Sequence, residues 1–285
     1  MDGLIIIDKP KDYTSRDIVN IVGKHFNTRK AGHTGTLDPL ATGVLVIAVN
    51  EGLKVVNLLS NDDKEYIAEV HMGIETDTLD ITGKVLKEAN DYKLDRDILV
   101  KVLRSFLGKS NQEVPIYSAV KVNGKKLYEY ARNGENVELP CKGIEILEIE
   151  LLSVSNDSFS FRVVVSKGTY IRSLIRDIGR KLNILCTMSN LRRTRVGMFK
   201  IEESNKLEEL DTGLNIISIE EALNNLNKII VDKELENKIR NGVLLENIYN
   251  CDIIAFINEA GSVIAIYGVY SKDISKIKPL KVFKR

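Results

Sequence analysis

Between Gly32 and Leu45 the chain reads GHTGTLDPLATGVL, three glycines and four hydroxyl or imidazole side chains around a single acid, Asp38. Glycines let a ligand approach the main chain closely, and Pro39 biases Asp38 towards extended backbone. A carboxylate displayed in this way can act as a nucleophile or a general base. On residue types alone, the same loop also reads as an ordinary connection with an Asp-Pro turn.

A second chemical group lies in VSKGTYIRSLIRDIGRKL, Val165 to Leu182. Gly168 breaks a strand there, and Thr169 can cap a helix with Ile171, Leu174, Ile175 and Ile178 inward. Tyr170 and Arg172 then stand at the helix start. A guanidinium and a positive helix end beside a carboxylate would keep that carboxylate ionised. Taken alone, Arg172 is equally a surface arginine.

The elements that must hold these groups follow from periodicity. Leu4 to Ile7 is a short strand, and Thr14 or Ser15 caps a helix through Ile18, Val19, Val22 and Phe26. Val44 to Val49 is a buried strand and Gly52 to Leu59 a short helix. Lys64 to Met72 alternates, with Tyr66, Ala68, Val70 and Met72 on one face. Thr76 to Gly83 is a polar loop in which Asp80 is a further carboxylate, able to orient an arginine or cap a turn. Leu94 to Leu107 predicts a helix with Ile98, Leu99, Val102, Leu103 and Phe106 inward, closed by Gly108. Gln112 to Gly134 interleaves lysines and tyrosines around an Asn123-Gly124 turn and a short helix, a mixture that suits phosphates and stacked bases. Strands at Ile144 to Val154 and Phe159 to Val165 come next. Ser218 and Glu221 form a capping-box pattern for a helix to Leu226. Asp232 to Arg240 is a polar helix, and strands follow at Ile253 to Ile257, Val263 to Val269 and Pro279 to Phe283.

Composition excludes several classes. With 285 residues, 44% hydrophobic and 28% charged, the chain is long enough for one large and one small domain of ordinary soluble type. No signal-peptide core or membrane-spanning run is visible, so it reads as cytoplasmic with no membrane association. Cys141, Cys186 and Cys251 are too few and too far apart for a disulfide framework or a paired-cysteine zinc site, and read as buried thiols. His25, His33 and His71 are scattered, no P-loop or dinucleotide fingerprint is present, and no cofactor or metal is expected. The net charge of +1 hides segregation. Lys167, Arg172, Arg176, Arg180, Lys181, Arg192, Arg193, Arg195 and Lys200 face only Asp177, whereas Glu202 to Glu221 is acidic. A local basic face for a phosphate backbone is expected from the first of these, with a plain solvated helix face as the alternative.

GHTGTLDP closely resembles the signature loop of the TruB family of tRNA pseudouridine synthases, and other segments resemble that family in the same order. Lys9 to Ser15 resembles its opening KPxGxTS motif, with Asp12 in place of glycine. KEYIAEVHMG resembles its second motif, GTYIRSL its tyrosine-arginine motif and LRRTRVGMF its last catalytic-domain motif. The resemblance implies Asp38 as nucleophile, Arg172 paired with it, Tyr170 as the proton-handling group and Tyr66 against a flipped base. It further implies Leu191 closing the pocket and His33 supporting the rearranged RNA loop. The implied fold is α+β, a catalytic domain over residues 1–227 around a mixed, largely antiparallel sheet. Residues 228–285 correspond to a small PUA-like RNA-binding domain, although a plain stabilising β-subdomain is a near alternative. The implied substrate is uridine 55 in the T loop of tRNA, handled by a monomer without protein partner, cofactor or metal. A non-catalytic tRNA-folding chaperone is the rival reading.

Overall fold

In the computed structural model, which describes residues 1–59, 62–211 and 213–284, the two least interrupted apolar runs become neighbouring strands. They are β1 (Gly3–Lys9) and, after the short β2 (Ala31–His33), β3 (Thr42–Val49), paired antiparallel from Gly3 opposite Val49 to Lys9 opposite Gly43. Ile5, Ile7, Leu45 and Ile47 point into one core, while Leu4, Ile6, Val44 and Val46 point into another. Strands covered on both faces need apolar residues at every position, which is why these runs do not alternate.

The sheet continues through β4 (Lys64–Met72), β5 (Gly108–Glu113), β6 (Cys141–Val154), β7 (Ser158–Val165), β8 (Cys186–Val196), β9 (Phe199–Lys200) and β10 (Ile216–Ile217). Its ten strands run in the order β10-β1-β3-β8-β4-β7-β6-β5, with β2 beside β3 and β9 beside β8. Only β8 with β3 is a parallel pairing. This is the mixed, largely antiparallel sheet of an α+β fold. β4 has the bounds its alternation predicts, and Tyr66, Ala68, Val70 and Met72 are buried on one face.

Helices cover the first face. α1 (Ser15–His25) starts at Thr14, whose hydroxyl accepts from the Asp17 amide while the Asp17 carboxylate accepts from the Thr14 amide. α2 (Arg96–Arg104) is shorter than its periodicity suggests: Asp95 caps it, Leu99 and Leu103 are buried, and Ile98 is 53% exposed. Ile98 lies a third of a turn off the Leu99–Leu103 stripe, so it faces solvent. The Asn123-Gly124 turn leads into α3 (Leu127–Asn133), which Gly134 ends in the left-handed conformation. α4 (Ile171–Leu182) buries Ile171, Leu174, Ile175 and Ile178. Its N-cap is Tyr170 and not Thr169, whose hydroxyl instead donates to the Ser166 carbonyl at 3.0 Å.

The tail forms a second sheet. β11 (Asn227–Ile230), α5 (Lys233–Arg240), β12 (Leu245–Glu246), β13 (Ile253–Ile257), β14 (Val263–Val269) and β15 (Lys276–Val282) give the strand order β11-β13-β14-β15-β12. Ile239, Ile254, Phe256, Ile264 and Tyr267 make a core of its own. Val263, Ile266 and Phe283 join Leu4, Ile6, Val44 and Val46 in the second core of the large sheet. The small sheet is therefore part of the cover over that second face, together with Val55, Leu59, Ile219, Ala222 and Leu223. The Ser218–Glu221 capping box is present, but its helix stops at Ala222, short of Leu226. Of the cysteines only Cys186 is buried, its thiol pushed up to about 12 by desolvation; Cys251 is half-buried and Cys141 exposed.

Candidate active site

Asp38 sits in the loop from β2 to β3, and its chain neighbours are each tied down. The buried Ser15 hydroxyl, at the start of α1, accepts from the Leu37 amide at 2.8 Å and donates to the Leu37 carbonyl at 3.0 Å. The Pro39 carbonyl accepts from the Lys9 ammonium at 3.2 Å and from the Asp12 amide at 2.9 Å. Asp12 adopts φ +69°, the left-handed region glycine favours, so the departure from the family's glycine leaves that conformation intact.

The far side of the loop is strapped by Arg193 on β8, which is 1% exposed. Its guanidinium donates to the carbonyls of Val44 at 2.7 Å, Gly35 at 3.0 Å and Thr36 at 3.4 Å. Its backbone lies against Gly43, opposite it in the parallel pairing, where φ is +102° and a Cβ would stand 2.2 Å from the Arg193 carbonyl oxygen. Only glycine allows that approach. Arg193 thus grips the loop by side chain at one end and by main chain at the other.

The Asp38 carboxylate emerges into a cavity of about 600 Å³, the size range of small-ligand sites. Arg172, in the first turn of α4 and nearly buried, places Nε 3.0 Å from Asp38 Oδ2. Its other nitrogens donate to the Thr78 carbonyl at 2.9 Å and the Tyr117 carbonyl at 3.1 Å. Asp80 lies 3.9 Å from Arg172 Nη1 and also accepts from the Thr78 and Thr82 hydroxyls, so it both faces the arginine and closes its own turn.

Tyr66, Tyr170 and Leu191 join Asp38 and Arg172 in the cavity wall. Tyr66 also belongs to the core beneath it. Tyr170 is held by the buried Gln112 on β5, whose side-chain amide accepts from the Tyr170 amide at 2.8 Å and donates to its carbonyl at 3.1 Å. Burial raises the Tyr170 phenol, against the lowering effects of Ser118 and Arg172, and Asp38 adds a smaller rise. His33 is half-buried on β2, next to the cavity-lining Thr34 but not itself part of the wall. Burial, followed by the charges of Arg193 and Arg16, lowers its pKa, so its ring is neutral at pH 7.

Several basic residues of the stretch from Val165 to Lys200, expected to offer a local basic face, are committed to partners within the fold. Arg176 pairs with Glu113 at 2.7 Å, Arg192 with Asp8 at 2.8 Å and Arg180 with Asp177 at 3.4 Å, while Arg193 is buried. Carboxylates remote in sequence compensate Arg172, Arg176 and Arg192. The cations that line the cavity beside the site are Lys64, Arg132 and Lys167, with Tyr117 and Tyr128 near them. Gln112, Ser15, Lys9 and Arg193 carry the positioning, and their residue types held no signal of it beyond the presence of Lys9 and Ser15 in the opening motif.

Residues 23–171 match a family described as TruB family pseudouridylate synthase (N terminal domain), and residues 172–235 match the tRNA pseudouridylate synthase B C-terminal domain. The chain is 42% identical to tRNA pseudouridine synthase B of Shouchella clausii (strain KSM-K16), covering 99% of this chain and 98% of that protein. Against the protein of the same name from Bacillus subtilis (strain 168) the identity is 40%, covering 99% and 97%. Among solved structures, one of an H/ACA RNP bound to a substrate RNA containing 2'-deoxyuridine superposes with a TM-score of 0.74 at 27% identity, covering 99% of this chain and 85% of that one. A Cbf5-Nop10-Gar1 complex gives 0.73 at 27% identity, with 99% and 84% covered.

Proposed function

The chain belongs to the TruB family of pseudouridylate synthases, and from that premise we propose that its cavity isomerises uridine 55 in the T loop of tRNA, with Asp38 as the nucleophile. Membership makes it an enzyme, an isomerase forming pseudouridine in tRNA. The reaction breaks the N1–C1′ bond, turns the uracil, makes a C5–C1′ bond, releases the C5 proton and takes up a proton at N1. Nothing is oxidised and no group leaves the nucleotide.

The observation that carries the reading is the Arg172–Asp38 ion pair at the wall of a cavity with room for a flipped base. In this reading Asp38 attacks the nucleotide, at the pyrimidine ring or at C1′, with Arg172 fixing its direction. Tyr66 lies against the flipped base and Leu191 closes over it. Tyr170 handles the proton; its raised pKa keeps the phenol protonated at neutral pH, so it enters as a donor and accepts only after passing its own proton on. The neutral ring of His33 suits stacking in the rearranged RNA loop. Residues 228–285 act as the PUA-like RNA-binding domain, and the enzyme works as a cytoplasmic monomer without cofactor or metal.

Tritium release from a tRNA transcript carrying 5-tritiated uridine tests this. Release is expected from the wild-type protein and is expected to vanish with Asp38→Ala, or when the T-loop target uridine is replaced by cytidine. Absence of release with tRNA still bound would favour the chaperone reading.

A further inference from the structure

Among the described residues, three buried side-chain polar atoms lack a hydrogen-bond partner: His33 Nδ1, Ser118 Oγ and Asn247 Oδ1. Of these residues only Ser118 lines the cavity with Asp38. A buried hydroxyl without a partner is destabilising, so its retention calls for a physical reason.

The backbone around Ser118 is fixed by the same groups that build the site. Its amide donates to the Ile116 carbonyl at 2.9 Å and its carbonyl accepts from the Tyr128 amide at 3.1 Å. The preceding carbonyl, of Tyr117, is the one that accepts from Arg172 at 3.1 Å. Ser118 is 7% exposed, and its hydroxyl lies beside the Tyr170 phenol, whose ionised form it favours.

We infer that the Ser118 hydroxyl is a contact to the target uracil, donating to the ring carbonyl that faces the wall. The inference rests on the cavity being where the uracil is rearranged. Turning the base about its N3···C6 axis exchanges O2 with O4 as it exchanges N1 with C5. A donor fixed on the wall therefore meets a carbonyl oxygen both before and after the turn. This holds the uracil while it is detached, the stage at which it has no covalent tether to the ribose.

The test compares wild type with Ser118→Ala in single-turnover tritium release from 5-tritiated tRNA, in tRNA affinity and in Tm. Release is expected to slow about tenfold, the scale of one net hydrogen bond. Affinity should stay within about twofold because phosphate contacts dominate it, and Tm should not fall, since an unpaired hydroxyl is being removed. Equal release from both proteins would overturn the inference alone. A slower release matched by a Tm drop of about 5 °C or more would assign Ser118 a structural role instead. A displaced pH profile with the plateau rate unchanged would place its action on Tyr170 and not on the base. No release from either protein would overturn the underlying reading of the cavity together with this inference.

Discussion

Arg172 meets Asp38 through Nε and a single carboxylate oxygen at 3.0 Å, while its two terminal nitrogens are committed to the Thr78 and Tyr117 carbonyls. One guanidinium thus ties the Asp38 loop to two other segments, and its planar fork sets all three directions. Lysine keeps the charge but cannot make three divergent bonds of fixed geometry. Arg172→Lys is expected to lower single-turnover release by about a hundredfold or more, as small misplacements at a reacting centre do. RNA affinity should stay within about threefold. Turnover equal to wild type would remove Arg172 from the site.

Arg193 should be more a matter of stability than its position beside the site suggests. Its three bonds run to buried or half-buried carbonyls that have to be paired. Arg193→Lys keeps at most part of them and is expected to destabilise by about 2–4 kcal/mol, seen as a Tm roughly 5–10 °C lower. Turnover should fall with it because Gly35 and Thr36 precede Asp38 in the strapped loop. A thermal melt superposable on wild type would show that these carbonyls do not depend on the guanidinium.

Lys9 gives the site a dependence on alkaline pH. Burial lowers its pKa to about 8, against smaller opposing effects of Asp12 and Asp38, while it donates to the Pro10, Tyr13 and Pro39 carbonyls. Below pH 8 the ammonium has three protons for three acceptors; above it the amine has two. The contact to Pro39, longest at 3.2 Å, is the one expected to be released, loosening the residue after Asp38. For stability the sign is opposite: the folded pKa lies below the unfolded one, so this group's destabilising contribution is complete below pH 8 and fades as pH rises towards 10.5. The pH–rate profile should therefore fall through about pH 8 in wild type and stay flat there in Lys9→Arg. Identical profiles would exclude Lys9 as the titrating group.

How much of this was readable beforehand depended on whether the signal was local. β1, β3 and β4 follow from runs and alternation within one segment, and Asp38 and Arg172, noticed as isolated chemistry, are brought together. What local patterns cannot carry is compensation across the fold. Arg192 pairs with Asp8 and Arg176 with Glu113, so a stretch that is basic in sequence is neutralised in part in space. Arg193 looked like one more surface cation, yet it is buried against three carbonyls whose presence no residue letter reports. Gln112 carries no charge or periodicity to draw notice, and its importance comes from what the Tyr170 backbone needs. Tyr66 belongs to both descriptions, an alternating core residue that also reaches the cavity.

The same compensation governs the tail. Read by sequence alone, removing everything after about Asn227 should weaken tRNA affinity more than the chemical step. In the fold, Val263, Ile266 and Phe283 share a core with Leu4, Ile6, Val44 and Val46, so truncation also uncovers part of the second face of β1 and β3. Those strands carry the exit of the Asp38 loop and the Lys9 anchor. Exposing several fully buried side chains loses about 1.5–3 kcal/mol each, which is comparable to the whole stability of a domain when three or four are involved. The chain ending at Leu226 is therefore expected to bind a hydrophobic dye and to melt well below the full-length protein, with release lost alongside affinity. A truncated chain that melts within about 3 °C of full length and keeps its single-turnover rate would show that the small sheet adds nothing to the catalytic core, leaving RNA contact as its remaining role.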